Sequence, residues 1–364
     1  MTRQGQALMP LLLLLAAEPG CRREPPLPPS YAERRLAELE TEVQGPPSAL
    51  VGWGYPTDQT NLLVPDAAGV FQPTASGRPD SALYGSVRTQ AGAKGLYASF
   101  HEGVDIAAVG RDKRGQPVDQ VRALAPGAVA YANKIAGNSN YGIYVVLMHE
   151  DPLGSFYTLY AHLASVDPGI ARGRPVARGD TLGIMGNTPA SDIPMARAHV
   201  HVEIGLMLNT RFDAWARARR MTPDHGAYNG LNLAGLDPLD ILQKARDSNV
   251  FSLRAYLADL PAAYAVLFKA ERRLDFFRRY PGLWIGEPET PGAVIRVTVS
   301  EGGVPLRGRL ATPEETAALG RAKVAIVDVD EDVLGRNGRR LILRHSGAWT
   351  LSRAGEDWLA VLQY

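Results

Sequence analysis

The chain has 364 residues, enough for more than one folded unit, since domains usually run to roughly 100–200 residues. Its 39 Lys plus Arg against 38 Asp plus Glu give a formal net charge of +1, so there is no electrostatic ground for expecting nucleic acid as a partner. The 37 Gly and 27 Pro argue against a helical bundle and for many turns and short strands, and a single cysteine excludes an intramolecular disulfide.

The chain opens with Arg3 ahead of the apolar run "ALMPLLLLLAA", residues 7–17. That run is too short to span a bilayer, which needs about 20 residues, and residues 1–20 read as an export signal that is removed. Cys21 lies just behind it and resembles the lipid-attachment cysteine of bacterial lipoproteins. Gly20 fits that pattern, whereas Glu18 stands where those signals usually have Leu, so cleavage near Ala17 without lipidation is the alternative. The expected location is the periplasm or cell envelope.

Residues 21–48 are a Pro-rich linker, "REPPLPPS", followed by "YAERRLAELETEV", where Leu36, Leu39 and Val43 recur at the spacing of one short helix. From about residue 49 the pattern becomes short apolar runs cut by Gly, Pro, Asn and Asp, which describes a mainly β, antiparallel domain over 49–248. Pro126-Gly127 between "VRALA" and "AVAYA" is the clearest hairpin signal, and "GNSNYG", residues 137–142, marks the next turn. Asp237-Pro238 is an N-cap followed by a first-turn proline, predicting a helix to about Arg246. Residues 249–290 read as a helical segment, and 291–364, with strands in "AVIRVTV", "KVAIVDV" and "RLILRHS", as a small C-terminal α+β unit of unknown role.

Four of the seven histidines, all in the β domain, fall at spacings that suggest a site: His101, His162, His199 and His201. "FHEGVDI" places His101 four residues before Asp105, and "HVH" sends His199 and His201 to one face of a strand, roughly 7 Å apart along it. A catalytic zinc takes three protein ligands and keeps a fourth position for water. His101, Asp105 and one histidine of the pair supply an N, O, N set, with the other histidine beside the water to relay a proton. Such a site suits hydrolysis of a peptide bond, because zinc acidifies water and polarises a carbonyl.

The stretches "FHEGVDIAA", "YGIYVVLMHE", "YTLYAHLASVDPGI", "VARGDTLGIMGNT" and "AHVHVEI" resemble, in sequence and spacing, the lysostaphin/LytM-type zinc endopeptidases of bacterial cell walls. The likeness runs from about residue 82 to 205, about a third of the chain. It implies that His101, Asp105 and His201 hold one zinc ion, that His162 and His199 are the catalytic pair, and that Gly103 is the usual glycine between the first two ligands. Ala198 stands where the family commonly has proline, and residues 108–119 form a longer connection than usual, a candidate flap or substrate rim.

The function this implies is zinc-dependent hydrolysis of the peptide cross-links of peptidoglycan, with its peptide stems as partner. The alternatives are a non-catalytic module that activates another wall hydrolase, or a secreted bacteriolytic or general peptidase. Other features read as ordinary surface. "DVDEDVLGRNG", residues 328–338, lacks the glycine and final glutamate of a calcium loop, "RGD" at 178–180 is a turn, and the arginines at 211, 217, 219 and 220 around Trp215 are a solvated face. His149, His225 and His345 have no partners at ligand spacing.

Overall fold

The computed structural model describes residues 47–364 apart from 93–94 and 223–224, so the export signal, Cys21, the Pro-rich linker and the helix expected within 31–43 lie outside the described residues. Two strands, β1 (Val87–Gly92) and β2 (Gly95–Phe100), pair as an antiparallel ribbon that ends one residue before His101. A nine-stranded sheet follows: β3 (Val104–Ala107), β4 (Gln120–Arg122), β5 (Gly127–Asn133), β6 (Ile143–His149), β7 (Phe156–Val166), β8 (Pro175–Val176), β9 (Thr181–Met185), β10 (His199–Met207) and β11 (Leu233–Leu236). Its pairings are antiparallel, as the alternating runs and short turns predict.

The strand that carries the H-x-H pair, β10, is buried along its whole length. Residues 199–202 pair with β3 and residues 204–207 with β11, while β7 lies along the other edge of 201–205. Pairing on both edges satisfies most of its backbone, which lets a strand carrying two histidines and a glutamate sit in the interior.

One turn assignment is corrected. Pro126-Gly127 does bend the chain, but β4 and β5 do not pair with each other: β4 pairs β9, and β5 pairs β6 and β8. The backbone between them finds distant partners instead, with Ala123 N–H donating to Asp180 O at 3.0 Å and Leu124 N–H to the Tyr160 hydroxyl at 2.9 Å. A turn signal reports a change of direction, not the identity of the neighbouring strand. The "GNSNYG" turn does join a paired hairpin, β5 to β6, with Gly142 at φ +62°.

Beyond the first sheet come α1 (Phe212–Ala218), α2 (Pro238–Asp247) and α3 (Leu253–Asp259). Asp237 caps α2 by accepting from Leu239 N and Asp240 N. The helical segment expected over 249–290 is instead divided: between α3 and α4 (Asp275–Arg279) lies the strand β12 (Tyr264–Lys269). Its residues Tyr264–Phe268 are all buried, and a short run covered on both faces has no period that separates strand from helix. With β13 (Trp284–Ile285), β14 (Val294–Val299), β15 (Pro305–Leu310) and β16 (Val324–Val327) it forms a second sheet, ordered β13-β15-β14-β12-β16. The helices α5 (Pro313–Leu319) and α6 (Glu331–Leu334), the hairpin of β17 (Ile342–His345) and β18 (Ala348–Leu351), and α7 (Arg353–Gln363) complete the chain.

The two sheets share one contiguous apolar core inside a single compact unit that includes the described residues 47–364. Polar ties cross between them: Asn209 Nδ2 donates to Val361 O, Thr210 N–H to Asp275 Oδ2, and the Tyr280 hydroxyl to Ser155 O. Among the described residues no helix is long and apolar enough to cross a membrane. The "DVDEDV" turn is a helix cap, Asp330 accepting from Asp332 N and Val333 N, and Trp215 is buried under the Arg219 guanidinium, 4.5 Å from its ring.

His149 illustrates what burial does to a histidine with no catalytic duty. It is wholly buried, stacks on Phe156, donates from Nδ1 to Pro126 O and bonds through Nε2 to Thr158 Oγ1. Burial pushes its pKa down to about 4, so the unfolded chain takes up a proton there at a pH where the folded one does not. Stability therefore falls as pH drops from about 6.5 to 4, by up to about 3 kcal/mol from this group. Thermal melts across that range should show the loss, and His149→Gln should remove this group's share of it.

Candidate metal centre

The chain leaves β2 at Phe100, places His101, turns through Glu102-Gly103 and enters β3 with Asp105. In the β3–β10 register, Asp105 is directly opposite His201, and on the other edge of β10 His201 is opposite Ala161, the residue before His162. The pairing thus gathers residues from three segments. Gly103 permits it: a Cβ there would lie 2.3 Å from Val202 O and 2.9 Å from His201 Cε1.

The three candidate ligands converge. Asp105 Oδ1 is 3.1 Å from His101 Nε2 and 2.9 Å from His201 Nδ1, and those two nitrogens are 3.0 Å apart. All three residues are buried, and their donor atoms lie within 4.8 Å of one another. The other Asp105 oxygen, Oδ2, accepts from Arg88 Nη2 at 2.5 Å. Burial by itself would raise the Asp105 carboxyl, but the neighbouring His101 and His199 outweigh it and hold it well below the usual carboxylate range.

Each histidine has its far nitrogen engaged. His101 Nδ1 faces Leu83 O at 2.9 Å, His162 Nδ1 faces Thr188 O at 2.7 Å, and His199 Nδ1 faces Arg197 O at 2.7 Å. A carbonyl can only accept, so each Nδ1 carries a proton and each Nε2 of the neutral ring offers its lone pair. Burial lowers the pKa of His101 and His199, and lowers that of His162 further with help from the adjacent His199 and His201 rings.

His201 is wired in the opposite sense. Its Nε2 lies 2.9 Å from Glu203 Oε1, leaving Nδ1 toward His101 and Asp105. Glu203 is itself fully buried and accepts from the Tyr141 hydroxyl at Oε1 and the Tyr157 hydroxyl at Oε2, both at 2.8 Å. Burial opposes a charge on His201, yet its bonds to Asp105 and Glu203 hold its pKa up at about 9.

His162 lines the cleft, with its ring centroid 4.9 Å from that of His199 and 5.9 Å from that of His201. His199 Nε2 lies 3.6 Å from Asp105 Oδ1. His162 takes φ +63°, a conformation costly for a residue with a Cβ, and its N–H donates to Tyr141 O. All five residues singled out from the sequence therefore stand together around one point.

The donor set fits a metal ion: two imidazole nitrogens and a carboxylate oxygen converge, a bound cation displacing the proton that His201 holds without it, and a hydrogen-bond acceptor stands behind each imidazole. The sequence reading missed Glu203, Arg88, Tyr141 and the Thr188 carbonyl. Glu203 was within reach, because H-x-H-x-E puts it on the same strand face as both histidines; Arg88 and Thr188 lie far off in sequence and carry no local signal. The connection 108–119 folds back on itself and is tied by Arg111 to the carbonyls of Met195 and Ala198, just before His199. His225, without a ligand partner in sequence, lines the same cleft.

The described residues thus place a buried three-donor cluster, with His162 and His199 beside it, at a cleft in an antiparallel β domain. Residues 99–212 match the model of Peptidase family M23. Among solved structures the chain is similar to the catalytic domain of the antimicrobial peptidase lysostaphin from Staphylococcus simulans, at 19% identity over 44% of this chain and 89% of that one, with a TM-score of 0.28. It is also similar to a mutant catalytic domain of the prophage-encoded M23 protein EnpA from Enterococcus faecalis, at 22% identity over 37% and 87%, TM-score 0.23. A zinc-containing peptidase from Vibrio cholerae aligns at 18% identity over 37% and 36%, TM-score 0.23. No curated protein matches the chain.

Two outcomes follow from this geometry. Glu203→Ala should weaken metal binding by about 10- to 100-fold, measured by competition with a chromophoric chelator, because His201 loses the acceptor that sets its tautomer. Gly103→Ala should lower stability by about 1–3 kcal/mol in urea melts, since its Cβ would run into the Val202 carbonyl oxygen and crowd the His201 and Glu203 side chains.

Proposed function

We propose that the protein is a zinc endopeptidase that hydrolyses the peptide cross-links of bacterial peptidoglycan, exported to the cell envelope and, if Cys21 is lipidated, anchored there. The observation that carries this is the convergence of His101 Nε2, Asp105 Oδ1 and His201 Nδ1 beside two neutral histidines in an M23 domain. His101, Asp105 and His201 would hold the zinc ion, which would supply Lewis acidity to acidify water and polarise the scissile carbonyl.

The chain supplies the proton chemistry. His162 and His199 each keep Nδ1–H on a backbone carbonyl, so Nε2 is free to take a proton from water and return it to the leaving amine. Protonated at Nε2, either ring can also donate to the oxyanion of the tetrahedral adduct. Arg88 holds Asp105 in place through the oxygen not directed at the histidines. The peptide stems of peptidoglycan as substrate rest on the family resemblance.

The test is mass spectrometry of purified cross-linked peptidoglycan after incubation with the full chain, zinc-loaded or chelated. Zinc-loaded protein should release uncross-linked muropeptides and chelated protein none. His199→Ala should cut the rate by on the order of 10²–10⁴ with zinc still bound, whereas His201→Ala should lose zinc as well. Intact cross-links with zinc bound would exclude this substrate, and failure to bind zinc would exclude the metal site.

A further inference from the structure

The cleft of about 640 Å³ that contains His101, His162 and His201 has a wall from a distant part of the chain: Arg339, Leu341, Ala354 and Trp358. These residues flank the β17–β18 hairpin and open α7.

The wall is fastened to the strand that delivers the first ligand. Arg339 forms an ion pair with Glu102, the residue after His101. The Gly338 backbone comes so close that a Cβ would lie 2.4 Å from Val87 Cγ2 and 3.2 Å from Phe100 Cδ2. Behind the wall, the start of α7 clamps residues 340–341: Ser352 N–H donates to Leu341 O at 2.9 Å and its hydroxyl to Arg340 O at 2.5 Å. Gly355 passes so near that a Cβ would be 1.9 Å from Leu341 O. Trp358 Nε1–H donates to Gly303 O at 2.9 Å, and Leu341 and Trp358 are 5% and 4% exposed. Ala354, in the first turn of α7, is exposed on the cleft side of these anchors.

A surface this firmly held has already lost its conformational freedom before a substrate arrives, so binding against it pays little for ordering. We propose that Arg339, Leu341, Ala354 and Trp358 form a fixed wall of the substrate cleft, against which one arm of the cross-linked peptide lies, with Ala354 as a contact and specificity position. The C-terminal unit is then part of the substrate site and not a separately tethered binding module. This inference rests on the peptidase reading above for the identity of the occupant.

The test uses the full chain and a purified, fluorescently labelled cross-linked muropeptide dimer. Binding to chelated protein is read by anisotropy and cleavage by zinc-loaded protein by mass spectrometry. Ala354→Trp should weaken binding and lower kcat/KM by about tenfold or more, through loss of space in the cleft. Zinc affinity and melting temperature should stay at the unmutated values, and Ala317→Trp, on the exposed face of α5, should change nothing. Unaltered binding and cleavage by Ala354→Trp would overturn the wall while leaving the peptidase intact. Dimer binding that Ala354→Trp abolishes, without cleavage by any form, would support the wall and overturn the hydrolytic reading. A parent protein that neither binds nor cleaves the dimer would overturn both.

Discussion

Burying the Asp105 carboxylate sets the terms for the rest of the molecule. An isolated charge in a protein interior is costly, and Asp105 is only 3% exposed. It is tolerated because both oxygens are engaged: Oδ1 by His101 and His201, Oδ2 by Arg88. That arrangement exists only in one register of β3 on β10. A slip of one residue would turn Asp105 to the opposite face from His201 and strand it among apolar side chains.

The same economy governs the histidines. Loops supply a backbone carbonyl behind His101, His162 and His199, and such carbonyls are free because the loops do not spend them on a sheet ladder. His201 sits in mid-strand, where neighbouring carbonyls are committed to pairing. Its acceptor is a side chain two residues along the same face, Glu203, held in turn by two tyrosine hydroxyls. A network of this kind is stable only when every member has a partner, which ties the placement of Tyr141 and Tyr157 to the chemistry at His201.

The second sheet follows from size and from covering. The first sheet buries strands on both faces, and its β10–β11 region continues into a core shared with β12, β14 and α7. Cross-ties such as Asn209 to Val361 and Glu102 to Arg339 make the two sheets one folded object, so the geometry of the cleft is set jointly by residues near His101 and residues near the C-terminus.

Much of this was legible in the residues. The alternation of apolar and turn residues prescribes antiparallel strands, Asp237-Pro238 prescribes the start of a helix, and H-x-x-x-D with H-x-H prescribes donor atoms at the spacing a metal site requires, because these are short-range consequences of backbone geometry. What neighbours what was decided only in three dimensions. Pro126-Gly127 could announce a bend but not that β4 would pair β9, and "YAVLF" could not declare itself a strand until β14 and β16 covered its edges. Arg88 on Asp105, Thr188 behind His162 and the wall at Arg339 to Trp358 have no local pattern at all, since long-range contacts arise from how sheets stack and no periodicity in the chain encodes them.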